Sequence, residues 1–104
     1  MNSQNIFEML SDDPVEFNIK SLKAKLALAL VALIRDHGWT QAMAAERLQI
    51  TQPRMSNLFR GKLEKFSIDA LLGMIVRSGY RIESTFDPSN GSNPLCLEVK
   101  KAAL

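Results

Sequence analysis

Between Thr51 and Lys62 the chain reads TQPRMSNLFRGK, with Arg54, Asn57 and Arg60 at three-residue steps along one side of a short helix that has a proline near its start. Guanidinium and amide groups spaced in this way form hydrogen bonds with other polar groups, so this side either packs or inserts into something. The surrounding charge favours a polyanion. Over residues 39–66, Arg47, Arg54, Arg60, Lys62 and Lys65 stand against Glu46 and Glu64, five cations against two anions, for a net +3. The plainer alternative is a solvated helical surface on which Arg54 and Arg60 pair with Glu46 or Glu64. Catalytic chemistry is short of parts. A lone Cys96 and a lone His37 supply neither an internal disulfide, a metal cluster nor a Cys–His pair, and no acid–base pair stands at workable spacing, so no enzyme, cofactor or metal is expected.

A chain of 104 residues is one domain long, with a modest core and its working surface on the outside. Hydrophobic residues at 46% and charged residues at 23% are a globular balance. The most apolar run, LALALVALI, is nine residues between Lys25 and Arg35. That is a buried helix, too short to span a bilayer and too deep in the chain for a signal peptide, so a cytoplasmic location is expected. Charge is unevenly spread. Residues 1–18 hold Glu8, Asp12, Asp13 and Glu16 with no Lys or Arg, a net −4.

The elements that position the basic segment follow from caps and periodicity. Asp13–Pro14 reads as an N-cap with proline in the first turn, and Val15, Ile19, Leu22, Leu26, Leu30 and Leu33 then recur at helical steps, predicting a long amphipathic helix to Gly38. Three short helices follow. Thr40 caps one that runs through Leu48, Thr51 or Gln52 caps one that ends at Gly61, and Ser67 caps one that ends at Gly79. The proline after Gln52 pushes that residue away from helical angles, which favours Gln52 as the cap. Ile50 with Met55 and Phe66 with Leu71 read as hydrophobic staples, and Ile68, Leu71, Leu72, Ile75 and Val76 form the last helical stripe. Beyond Gly79 the period becomes two. Tyr80, Ile82, Ser84 and Phe86 predict a strand, DPSNGSNP a turn, and Leu95, Leu97 and Val99 a second strand. The first strand needs either that partner or its own counterpart in another copy of the chain.

Ala44 and Ala45 at a close crossing, Leu48 and Ile50 around a tight turn, and Met55 and Leu58 facing inward have the packing pattern of two short helices in a helix-turn-helix. TQAMAAERLQITQPRMSNLFRGK, about a fifth of the chain, resembles the helix-turn-helix of the Xre family of bacterial and phage repressors. The acidic FEMLSDDP lead, the long first helix and the terminal strand look like the HigA-type antitoxin regulators within it. Gln49 departs from the pattern by standing where the family usually has glycine. The resemblance implies a mainly α, lambda-repressor-like helical bundle with a C-terminal strand or hairpin. It divides the chain into an arm at residues 1–12, a DNA-binding domain at 13–79 with the motif at 40–60, and a dimerisation element at 80–104.

With the second helix of the motif in a major groove, the residues at its start would meet base edges: Thr51, Gln52, Pro53 and Arg54, with Asn57 one turn later. Arg54 suits guanine O6 and N7, Gln52 or Asn57 suits adenine N6 and N7, and the Thr51 methyl or Pro53 ring suits a thymine methyl. The resemblance gives Gln41 a phosphate contact, and Arg60, Lys62 and Lys65 would hold phosphates beyond the helix. The expected function is a dimeric repressor on an inverted-repeat operator. The alternative is an antitoxin whose main task is to neutralise a ribonuclease toxin. Four side chains are expected to be structural. Met43, Met55 and Met74 fill core gaps and Trp39 covers the end of the first helix. His37 is expected as a C-terminal helix cation at low pH, and Cys96 as a buried or half-buried small residue. Phe7, Met9 and Leu10 are expected to pack back on the long helix.

Overall fold

A computed structural model describes residues 13–102. The expected packing of Phe7, Met9 and Leu10 lies outside those residues. Among the described residues four helices, α1 (Pro14–His37), α2 (Gln41–Leu48), α3 (Gln52–Phe59) and α4 (Ile68–Arg77), precede two strands, β1 (Tyr80–Phe86) and β2 (Leu95–Lys101). The architecture is the expected one: mainly α, with a C-terminal antiparallel hairpin. The strands pair within the chain, with Ile82 opposite Val99, Ser84 opposite Leu97 and Phe86 opposite Leu95.

Each helix starts on a side chain that satisfies a backbone N–H left without an intrahelical acceptor. The Asp13 carboxylate accepts from Val15 N–H at 2.9 Å, the Thr40 hydroxyl from Met43 N–H at 3.1 Å, and the Ser67 hydroxyl from Ala70 N–H at 3.1 Å. For α3 the cap is Thr51, whose hydroxyl accepts from Arg54 N–H at 3.3 Å, while Gln52 is the first helical residue. This corrects the expectation of Gln52. The proline restricts Gln52, but threonine in extended geometry offers its hydroxyl to the open helix end and the amide of Gln52 has no such reach. Three helices stop in the same way, with a left-handed residue whose own and following N–H groups close on the last-turn carbonyls, at Gly38, Gln49 and Gly61.

The core gathers Leu26, Leu30 and Ile34 of α1, Ala44, Ala45 and Leu48 of α2, Met55 and Leu58 of α3, Phe66, and Leu71, Met74 and Ile75 of α4. The N-terminal half of α1 runs past this core. Val15 is 71% exposed and Ile19 and Leu22 are also on the surface, and the buried residues of this 24-residue helix begin at Leu26. Met43 and Val76 are exposed as well. At about 100° per residue each lies on the far side of its helix from the buried stripe. Cys96 is exposed rather than buried, because among the described residues no second layer covers its face of the two-stranded sheet.

Two expected structural roles gain detail. Trp39 is half-buried against the core and stacks on His37 with ring centroids 4.1 Å apart. His37 Nε2 lies 3.0 Å from the Ser78 carbonyl oxygen, which can only accept, so this nitrogen carries a proton and ties the end of α1 to the end of α4. No helix among the described residues is long and apolar enough to cross a membrane.

Candidate nucleic-acid interface

Helices α2 and α3 pack together across a three-residue turn, Gln49, Ile50 and Thr51. The fully buried Ala44 and the buried Ala45 let the two backbones approach, and the half-buried Ile50 packs against the core. Gln49 holds the turn with φ 61° and ψ 43° and sends its N–H toward Glu46. The turn therefore has left-handed geometry with a side chain where glycine is the unstrained choice, at a cost of about 1–2 kcal/mol.

With Met55 and Leu58 buried, the opposite side of α3 carries Pro53, Ser56, Asn57 and Arg60. Gln52 and Arg54 flank that side, and both are exposed. Ser56 was not singled out from the sequence. It lies three residues after Pro53 and four before Arg60, and the helical step from either would have found it.

Two contacts order the polar side chains. The Arg54 guanidinium carbon is 4.7 Å from the centroid of the Phe66 ring, a cation–π arrangement that holds the fork against the base of α4. Arg60 Nη2 donates to Asn57 Oδ1 at 3.0 Å, which leaves the Asn57 amide N–H₂ as a donor not used by that bond. The ion pairs among the described residues are Lys20–Glu16, Arg81–Glu83 and Lys100–Glu83. None involves Arg54, Arg60, Lys62 or Lys65, so the pairing of Arg54 or Arg60 with Glu46 or Glu64 does not form.

Gln41 is the first residue of α2, exposed beside the Thr40 cap. Lys62 follows Gly61 past the end of α3, with its N–H donating to the Asn57 carbonyl at 2.9 Å, and Lys65 is exposed in the loop before α4. The two lysines thus lie beyond the C-terminal end of α3, while Gln41 opens the neighbouring helix. Among the described residues no group of three His, Cys, Asp or Glu side chains could hold a metal ion.

A family model described as a helix-turn-helix domain matches residues 9–85. The chain belongs to this helix-turn-helix family. Among solved structures it is similar to a chain named as an XRE family transcriptional regulator, at 29% identity and a TM-score of 0.69, covering 86% of this chain and 96% of that one. A search of curated proteins finds no match. The family match spans all four helices and most of β1, so the helix-turn-helix fold extends well past the two-helix motif.

Proposed function

We propose that the chain is a DNA-binding transcriptional regulator, a repressor that docks as a homodimer on an inverted-repeat operator with one α3 in each of two successive major grooves. The observation that carries this reading is the solvent side of α3. It presents Pro53, Ser56 and Asn57, with Arg60 at the cap and Gln52 and Arg54 flanking them, on a helix whose inner side is locked into the core by Met55 and Leu58. Family membership and the XRE-named structural neighbour support the same reading. Thr51, Gln52, Pro53, Arg54 and Asn57 read base edges, and Ser56 adds a short hydroxyl to that side. Gln41, Arg60, Lys62 and Lys65 hold phosphates, and these set position without reading sequence. The Arg54 guanidinium rests over the Phe66 ring at the edge of that side.

The test is binding as a function of salt. Arg60, Lys62 and Lys65 from two protomers make six cationic phosphate contacts, for a slope of log K against log salt of about −5. Affinity then falls on the order of 10³-fold between 50 and 200 mM salt. Arg54→Ala relaxes preference at one position of each half-site, and Lys62→Ala weakens all sequences alike and flattens the slope by about 2. Equal loss on every sequence from Arg54→Ala removes it from the readers. No affinity for the protein's own promoter at low salt overturns the operator reading.

Toxin neutralisation is the second reading, with DNA binding as autoregulation. It is favoured by the exposed apolar side of α1 at Val15, Ile19 and Leu22, of which Val15 and Ile19 border a groove of about 550 Å³ that Lys20, Lys23, Leu63 and Glu64 also line. An adjacent gene for a small basic ribonuclease whose product co-purifies with the chain supports it, and a free-standing gene argues against it.

A further inference from the structure

The two faces of the hairpin differ sharply. One carries Arg81, Glu83, Thr85, Cys96, Glu98 and Lys100, with Glu83 bound by both Arg81 at 2.7 Å and Lys100 at 3.0 Å. That face is finished with respect to water. The other carries Tyr80, Ile82, Ser84 and Phe86 from β1 and Leu95, Leu97, Val99 and Lys101 from β2, and beyond the root pair of Tyr80 and Lys101 its five apolar side chains are 37% to 70% exposed. Those side chains present on the order of 500 Å², at the upper end of what a monomer leaves in one patch. With a rim of neighbouring atoms this approaches the ~800 Å² per partner of a standard interface. A hairpin of two strands is marginal in water without cover, and only its root, at Tyr80, packs on the core.

We infer that a second copy of this chain docks face to face on the side of the hairpin formed by Ile82, Ser84, Phe86, Leu95, Leu97 and Val99. Two features point to a copy rather than a different partner. The six positions contain no charge, and the one charge on that face, Lys101, stands at the root opposite Tyr80, so a two-fold axis through the centre of the six brings no like charges together there, although the whole chain carries +2. The central pair is also self-complementary in shape. Ser84 stands directly opposite Leu97, a small side chain beside a large one. A two-fold axis through this pair seats Leu97 over the partner's Ser84, and the partner's Leu97 over Ser84. The inference deepens the dimer reading by naming its surface, and it is tested without DNA.

Sedimentation equilibrium of the full chain over ~1–100 μM measures the association, with circular dichroism on each variant to confirm the helical signal. Leu97→Asp places a charge at the centre of the face and weakens the dimer at least ~100-fold. Ser84→Leu fills the notch and also weakens it, even though it adds apolar surface. General stickiness would instead strengthen with that change. Thr85→Asp, on the opposite face, leaves the dimer intact. A dimer that withstands both Leu97→Asp and Ser84→Leu overturns the face while sparing the dimer reading. A wild-type chain that stays monomeric at 100 μM overturns both, and base preference on a single half-site then still reports on DNA recognition separately.

Discussion

Gln49→Gly should make the protein more stable, although it removes a side chain from the most constrained turn of the motif. The residue sits at φ 61° and ψ 43°, where an L-side chain costs about 1–2 kcal/mol. Glycine removes that cost but brings about 0.5–1 kcal/mol of extra chain entropy in the unfolded state. The Gln49 side chain is exposed, so the change deletes no core packing. The balance is a gain of roughly 0.5–1 kcal/mol, or a melting temperature higher by roughly 2–8 °C for a domain of this size. The assay is thermal unfolding followed by circular dichroism at matched protein concentration. Gly38→Ala and Gly61→Ala are the internal standards. Both glycines have φ 73°, and an added Cβ meets nothing within 4 Å at either, so only the backbone term operates. Each should lose about 1 kcal/mol. An unchanged or lower melting temperature for Gln49→Gly, alongside the expected losses at Gly38 and Gly61, refutes this account of the turn.

Three other outcomes follow from the same geometry. Thr51→Ala removes the α3 cap and should cost about 1 kcal/mol in the same melt, while Gln52→Ala should leave stability within about 0.5 kcal/mol. Ala44→Leu forces a large side chain into the fully buried α2–α3 crossing; it should destabilise by roughly 1–3 kcal/mol and lower operator affinity more than Met43→Leu, which lies on the surface. The Glu83 carboxyl is held below its ordinary value of 4.5, first by the hydrogen bond from Lys100 and then by the charge of Arg81. A lowered folded-state value means that its stabilisation is present above about pH 4.5 and is lost as pH falls through the lower value. Glu83→Gln should therefore remove part of the fall in melting temperature between pH 7 and pH 3, and an identical fall in both proteins contradicts the link.

Much of the fold was legible because the signals were local. Asp13, Thr40 and Ser67 could be read as caps and Gly38 as a stop, and the switch of period at Tyr80 marked the strand. What was missed depends on tertiary context. The apolar repeat of α1 continues through Val15, Ile19 and Leu22, but periodicity does not say where the neighbouring helices end, and the core begins at Leu26. Met43 and Val76 look like core by residue type, and only the phase of the buried stripe places them outside. At the interface the spacing of Arg54, Asn57 and Arg60 was evident in the chain. That Arg54 lies on Phe66 was not, since twelve residues and a loop separate them. The choice between Thr51 and Gln52 turned on which side chain reaches the open N–H of Arg54, a matter of hydroxyl geometry that the proline rule alone does not decide.

If α3 reads a two-fold DNA site, selection of bound duplexes from a random pool recovers that site, because half-site sequence, symmetry and spacing come from one experiment. The expected result is an inverted repeat with half-site centres roughly 34 Å apart, about one helical turn or a multiple of it, and loss of preference at one position per half-site with Arg54→Ala. Enrichment of a single asymmetric site contradicts the dimer, and no enrichment at low salt contradicts sequence recognition by α3.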